Sequence, residues 1–239
     1  MYVYGRNVLK EILNTDYQVK QVYFTNSKKV DKEVEKLIKK VKEKNISFSF
    51  VDNNLLKKLS NSENHQGVIT DIGKEFDYKY MDVLDDIKDP YILILDQVQD
   101  PHNFGAMVRS AAAAGVDAII IPSDNSSGVT PTVIKVSAGQ IFRIPIIQVT
   151  NISRTIKKLK EKNIWVYGAD MNGTQYHKVD MTGGFALVMG NEGSGIRQKV
   201  KENCDGIISI QMSNDVESLN VSVSAGIIMF EARKQRIKE

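Results

Sequence analysis

Beyond residue 90, short apolar runs recur along the chain: YILIL (91–95), DAIIIP (117–122), IPIIQV (144–149), WVYGA (165–169), FALVMG (185–190) and IISIQM (207–212). Runs without polar alternation fit strands covered on both faces, as in a parallel sheet. Segments with helical periodicity lie between most of them, at 104–114, 131–138, 152–162, 196–202 and 221–236. Strand–helix alternation over residues 90–239 predicts an α/β domain with helices on both sides of a parallel sheet. The first 72 residues change period more often. The pattern predicts helices at 7–13 and 30–44 and strands at 19–25, 47–51 and 67–72. Asp52 or Asn53 is placed to cap a short helix running through Leu59. Residues 73–89 are acidic, lack a strong period and end before Pro90, which makes them the expected linker. The expected organisation is therefore 1–72, a linker at 73–89, and 90–239.

Composition narrows the class. With 239 residues, 42% hydrophobic and 26% charged, the chain is neither disordered nor collagen-like. Its longest apolar stretch, 111–122, is broken by Asp117 and falls short of the ~20 residues a membrane helix needs. The N-terminus has no long apolar core or small-residue cleavage site, so no secretory leader is expected. Cys204, the single cysteine, excludes an internal disulfide, and the three histidines (His65, His102, His177) are dispersed. The chain reads as soluble and cytoplasmic, with no membrane partner and no metal. Its net charge of +3 hides an uneven distribution. Residues 1–72 carry 13 Lys/Arg against 9 Asp/Glu, whereas 73–89 carry 3 against 6. A basic first segment suits nucleic acid, although Lys-rich helix faces are commonly just solvated.

Ligands of open α/β sheets bind beyond the carboxyl ends of the strands, and three loops in those positions are chemically unusual. In LDQVQDPHNFGAMVRSAAAAG (95–115), Asn103 is placed to cap a helix and Arg109 shares a side with Gly105, Ala112 and Ala113. A guanidinium among such small residues needs an anionic partner, either a ligand or a carboxylate such as Asp96. MGNEGSGI (189–196) has three glycines in eight residues around Glu192, which permits a tight turn or close approach to a ligand. Its spacing is neither a dinucleotide fingerprint nor a P-loop. In IQMSNDVESLNVSVSA (210–225), Ser218 and Asn220 stand at the start of a helix, where simple capping also accounts for them.

Taken in order, these three loops resemble the motifs of the SpoU/TrmH family of RNA 2′-O-methyltransferases, within the SPOUT class. The likeness runs through DPHNFGAMVRSAAAAG, LVMGNEGSGI and ISIQM…SLNVSVSA, and the connection SSGVTPTVIKVSAGQIFRIPI is similar too. In the first third, YGRNVL and HQGV (65–68) are similar to the substrate-binding domain of the branch that modifies a guanosine in 23S ribosomal RNA. The resemblance implies S-adenosyl-L-methionine as methyl donor, a ribose 2′-hydroxyl as acceptor, RNA as partner and a homodimer. It also implies a deep trefoil knot in the C-terminal domain and an L30e/L7Ae-like α/β fold in the N-terminal one. Asn103, Arg109 and Glu192 fall on the family's catalytic positions, and Ser218 and Asn220 on its third polar pair. Gly190, Ile210 and Leu219 fall where backbone holds the cofactor. Gln211 departs from the family's usual proline.

Physically, Arg109 is a poor base, because a guanidinium keeps its proton above pH ~12. It is better suited to bind phosphate and stabilise a developing alkoxide, which leaves the proton's acceptor open. Alternatives are a tRNA guanosine 2′-O-methyltransferase, a resistance-type rRNA 2′-O-methyltransferase and a non-catalytic RNA-binding protein. Arg109→Ala is expected to abolish methyl transfer while calorimetry shows cofactor binding nearly unchanged. Parallel loss of both would overturn the role given to Arg109.

Overall fold

The computed structural model describes residues 1–26, 31–73, 75–213 and 218–237. The chain divides into two compact units. The first is Met1–Asp77 with Val129–Arg143, and the second is Tyr78–Gly128 with Ile144–Glu239.

The first unit is a mixed four-stranded sheet in the order β1-β4-β2-β3, with β1 Tyr2–Tyr4, β2 Gln21–Thr25, β3 Phe48–Val51 and β4 Val68–Asp71. β4 runs antiparallel to both β1 and β2, while β2 and β3 are parallel. β1 escapes sequence reading because three residues are too short for a periodic signal; the tertiary pairing with β4 creates it. α1 (Arg6–Ile12) and α2 (Lys32–Glu43) supply Leu9, Val34, Leu37 and Val41 to a core completed by Val22, Phe24 and Val68. Asp31 caps α2 by accepting from the Glu33 and Val34 amides, so the helix begins after the expected position 30, which lies outside the described residues. Asp52 caps α3 (Asn53–Ser60) through the Leu55 amide.

Residues 129–143 join this unit as two short elements: one helical turn and a half at Pro131–Val136, then a 3-10 turn at Gln140–Phe142. Val133, Ile134 and Ile141 are buried. Gly139 sits at φ +82°, and a Cβ there would come within 2.9 Å of the Val8 Cα and 3.0 Å of the Glu11 Cβ. Arg143 Nε donates to the largely buried Glu11 carboxylate. Segment 129–143, expected to serve the C-terminal domain, is thus fastened to α1.

The second unit is a six-stranded, all-parallel sheet ordered β10-β8-β9-β5-β6-β7. Its strands are β5 Tyr91–Leu95, β6 Ala118–Pro122, β7 Ile146–Val149, β8 Trp165–Gln175, β9 Phe185–Met189 and β10 Gly206–Ser209. Every residue of β5, β6 and β9 is buried, as expected where helices cover both faces. Numbering Pro131–Val136 as α5, the helices here are α4 (Pro101–Ala114), α6 (Ile152–Glu161), α7 (Gln198–Lys201) and α8 (Val221–Arg236). Ile152, Ile156 and Leu159 of α6 pack on Ile92, Ile120, Val166 and Val188 of the sheet. α4 and α8 pack on each other, and the buried Tyr91 hydroxyl donates to the Met229 carbonyl at 3.1 Å. Residues 73–89 are shared between the units: Phe76 is buried in the first, and Leu84, on a 3-10 turn at Met81–Leu84, joins the core of the second.

Gly139→Ala is expected to destabilise the protein by about 1–3 kcal/mol, through overpacking and a strained left-handed backbone. Urea unfolding measures it.

Candidate active site

β5, β9 and β10 lead into the three unusual loops, and a pocket of about 370 Å³ opens beside those after β9 and β10. Its walls come from the turn after β9, the segment after β10, residues 169–171 of β8 and the start of α8. Of the residues singled out from sequence, Gly190, Glu192, Ile210, Ser218 and Leu219 line it. Residues 214–217 of the third loop lie outside the described residues.

The turn after β9 is closed by Asn191, whose N–H donates to the Gly195 carbonyl while Gly195 donates back, both at 3.0 Å. The Asn191 side chain accepts from the Gly193 amide (3.0 Å) and the Ser194 amide (3.2 Å), and donates to the Gln97 carbonyl (3.0 Å). Gly190 is obligatory, because a Cβ there would lie 2.2 Å from the Gly195 carbonyl carbon. Sequence reasoning passed over Asn191. Its signal was an asparagine at a strand end with glycine two residues on, which favours a side-chain-to-backbone turn.

Asn103 does not cap α4, contrary to expectation. Asp100 does, accepting from the His102 amide at 2.9 Å, with Pro101 pre-setting the first turn. This shift leaves the Asn103 side chain free for another task. Its Nδ2 donates to Glu192 Oε1 (3.1 Å) and its Oδ1 accepts from Asn220 Nδ2 (3.0 Å). Asn220 also caps α8, its Oδ1 accepting from the Ser222 amide at 2.9 Å. Capping and side-chain contact therefore coexist in one residue. Asn103, Glu192 and Asn220, from three separate loops, form one hydrogen-bonded chain.

Asp96 is not the partner of Arg109. It is fully buried, and Arg197 takes it: Nε and Nη2 donate to Oδ1 at 2.8 and 2.6 Å, and the Arg197 amide donates to Oδ2 at 2.9 Å. Arg109 is exposed on α4, outside the pocket lining, and makes no hydrogen bond or ion pair among the described residues. Asp170 lines the pocket and pairs with Lys201 at 2.9 Å. Burial works against its charge, but Lys201 and the backbone amides of Asn172 and Met171 outweigh it and hold the carboxyl below its ordinary range. Gln211, standing where the resembled family has proline, accepts from Gln175 Nε2 at 2.7 Å, a side-chain tie that steadies the loop after β10. Among the described residues no cluster of His, Cys, Asp or Glu is arranged to hold a metal.

Residues 90–230 match the SpoU rRNA Methylase family, and residues 2–76 match the RNA 2′-O ribose methyltransferase substrate binding family. The chain belongs to the SpoU rRNA methylase family. It is 42% identical over 213 residues to the 23S rRNA (guanosine-2′-O-)-methyltransferase RlmB of Neisseria meningitidis serogroup B, covering 87% of this chain and 85% of that one. To the protein of the same name in Escherichia coli K12 it is 39% identical over 239 residues, covering 98% of each. Among solved structures, the SpoU methyltransferase AviRb from Streptomyces viridochromogenes, in complex with the cofactor AdoMet, superposes with a TM-score of 0.84. At 22% identity over 99% of this chain and 90% of that one, this likeness establishes the fold. A TrmH/SpoU tRNA modifying enzyme of A. aeolicus aligns at 28% identity and TM-score 0.56, over 63% of this chain and 76% of its own.

In this SpoU-family site, Asn191→Ala is expected to cost about 1–2 kcal/mol. Hydrogen exchange should show the Gly193 and Ser194 amides losing protection while strand amides keep theirs.

Proposed function

We propose that this protein transfers a methyl group from S-adenosyl-L-methionine to the ribose 2′-hydroxyl of a guanosine in 23S ribosomal RNA. One observation carries the reading: Asn103, Glu192 and Asn220 form a single hydrogen-bonded chain that reaches a glycine-walled pocket through Glu192. The RlmB relatives cover both units of the chain, whereas the tRNA modifying enzyme aligns with 63% of it, which favours the ribosomal substrate.

The pocket suits the cofactor. Gly190 lets the two ends of the turn pass in contact at the pocket wall, and Ile208, Ile210 and Ile228 offer apolar surface for a flat base. Asp170, held ionised by Lys201, and Glu192 offer carboxylates to a cationic ligand. When bound, S-adenosylmethionine supplies a methyl group already activated on a positively charged sulfur.

The chain's own residues then have to position the ribose and manage charge. Asn103, held at both ends of its amide, is a rigid polar group rather than a floppy one. With Glu192, Asn220 and the Ser218 hydroxyl it orients the acceptor ribose. Arg109, with no carboxylate partner among the described residues, takes a phosphate and stabilises negative charge developing on the 2′-oxygen. Backbone at Gly190, Ile210 and Leu219 holds the cofactor. The basic first unit carries the RNA.

The same reading includes a homodimer. On α8, Val223 and Phe230 are 49% and 48% exposed and flank the half-buried Ile227, an apolar stripe at helical spacing suited to a second copy. The proposed ribosomal substrate goes together with a cytoplasmic protein. No helix among the described residues is long and apolar enough to cross a membrane.

Purified protein with S-adenosylmethionine and unmodified 23S rRNA is expected to form one 2′-O-methylguanosine, located by mass spectrometry of nuclease fragments. Methylation of tRNA instead would move the substrate. RNA binding without methyl transfer would return the non-catalytic reading.

A further inference from the structure

The carboxyl edge of the parallel sheet carries a second cavity, of about 280 Å³, between the end of β7 with the start of α6 and residues 197–200. Its polar lining is Thr150, Asn151, Ser153, Arg197, Gln198 and Lys199. Two cations, two amides and two hydroxyls face one space, and no carboxylate does.

Arg197 turns this hollow into a prepared site. Nε, Nη2 and the backbone amide are committed to buried Asp96, which fixes the guanidinium before any ligand arrives. Nη1 makes no hydrogen bond among the described residues and stays available. An arginine ordered in advance loses little side-chain freedom on binding. Asp96 offsets much of its charge, so Lys199, exposed and without an ion pair among the described residues, supplies the net positive charge. Exposed Arg154, on the first turn of α6, adds to it, as does the positive end of that ten-residue helix.

One loop walls both cavities. Asn191–Gly195 line the larger one and Arg197–Val200 the smaller, so the two walls are separated only by Ile196. Two residues of chain span at most about 7 Å. We infer that the smaller cavity binds a backbone phosphate of the RNA close to the methylated ribose. This inference rests on the methyltransferase reading above. Arg197 provides one fixed donor, Lys199 the charge, and the Thr150 hydroxyl and Asn151 amide nitrogen further hydrogen bonds, the Ser153 hydroxyl being committed to the Lys199 carbonyl.

The test compares wild-type protein with Lys199→Ala and with the double variant Lys199→Ala/Arg154→Ala. Both positions are exposed, and the Lys199 carbonyl that accepts from Ser153 is untouched. Binding of a 23S rRNA fragment is measured over a salt series, with calorimetry for S-adenosylmethionine. Lys199→Ala is expected to weaken RNA binding by about two- to fivefold. It should also flatten the slope of log affinity against log salt by about 0.7. Cofactor affinity and the rate at saturating RNA should hold. Salt slopes equal to wild type in both variants would overturn the inference. So would inorganic phosphate at constant ionic strength stabilising wild type but not Lys199→Ala, with RNA binding alike in the two, which marks a free-anion site. If wild type methylates no RNA, the methyltransferase reading fails instead, and the cofactor and RNA arms show it separately.

Discussion

The buried Asp96 carboxylate at the end of β5 is the constraint around which the site is arranged. A carboxylate removed from water must be answered by donors or it destabilises the fold. Here the answer comes from 101 residues away, through three donors of Arg197. Since Arg197 follows the glycine turn, satisfying Asp96 also fixes where that turn leaves the sheet. The Asp96 amide meanwhile donates to the Met189 carbonyl at 2.7 Å, joining β5 to β9 where their loops begin. Removing one partner of a buried pair costs about 3–5 kcal/mol. With the Arg197 side chain 44% exposed, the lower part of that range or less applies.

From this anchor the chemistry spreads outward in order of exposure. Asn191 closes the turn with backbone bonds, Gly190 lets the turn's two ends pass in contact, and Asn103, Glu192 and Asn220 link the three loops through side-chain hydrogen bonds. The innermost contacts are saturated and rigid. The outermost groups, Arg109 and Lys199, are exposed cations without ion pairs among the described residues. The first unit follows a different logic. It recruits residues 129–143 from between β6 and β7, and Gly139 is the position at which that segment lies against α1.

Much of the fold was legible because periodicity reports burial directly. The run YILIL is β5 residue for residue, and the final helix spans 221–236 as its pattern predicts. Boundaries moved where a cap, rather than the apolar pattern, decides the first turn: Asp100 starts α4 earlier than its apolar residues suggest. The candidate site was legible as residue types at strand ends. The capping role expected of Asn103 falls to Asp100, and of the two partners open to Arg109 the carboxylate Asp96 is taken by Arg197. Local sequence shows the nearest donor or acceptor, whereas Asn103 and Asp96 find side-chain partners 89 to 117 residues away.

The sequence by itself determined the α/β alternation, the three loops and the resemblance to SpoU-type enzymes, because each is written in spacing and residue type over a few turns of chain. Only the tertiary structure decided which carboxylate holds which arginine. It likewise decided that 129–143 belongs with the first unit, and that one loop walls two cavities. Those outcomes depend on desolvation and on which groups meet across the folded sheet. Neither quantity exists until distant segments are brought together.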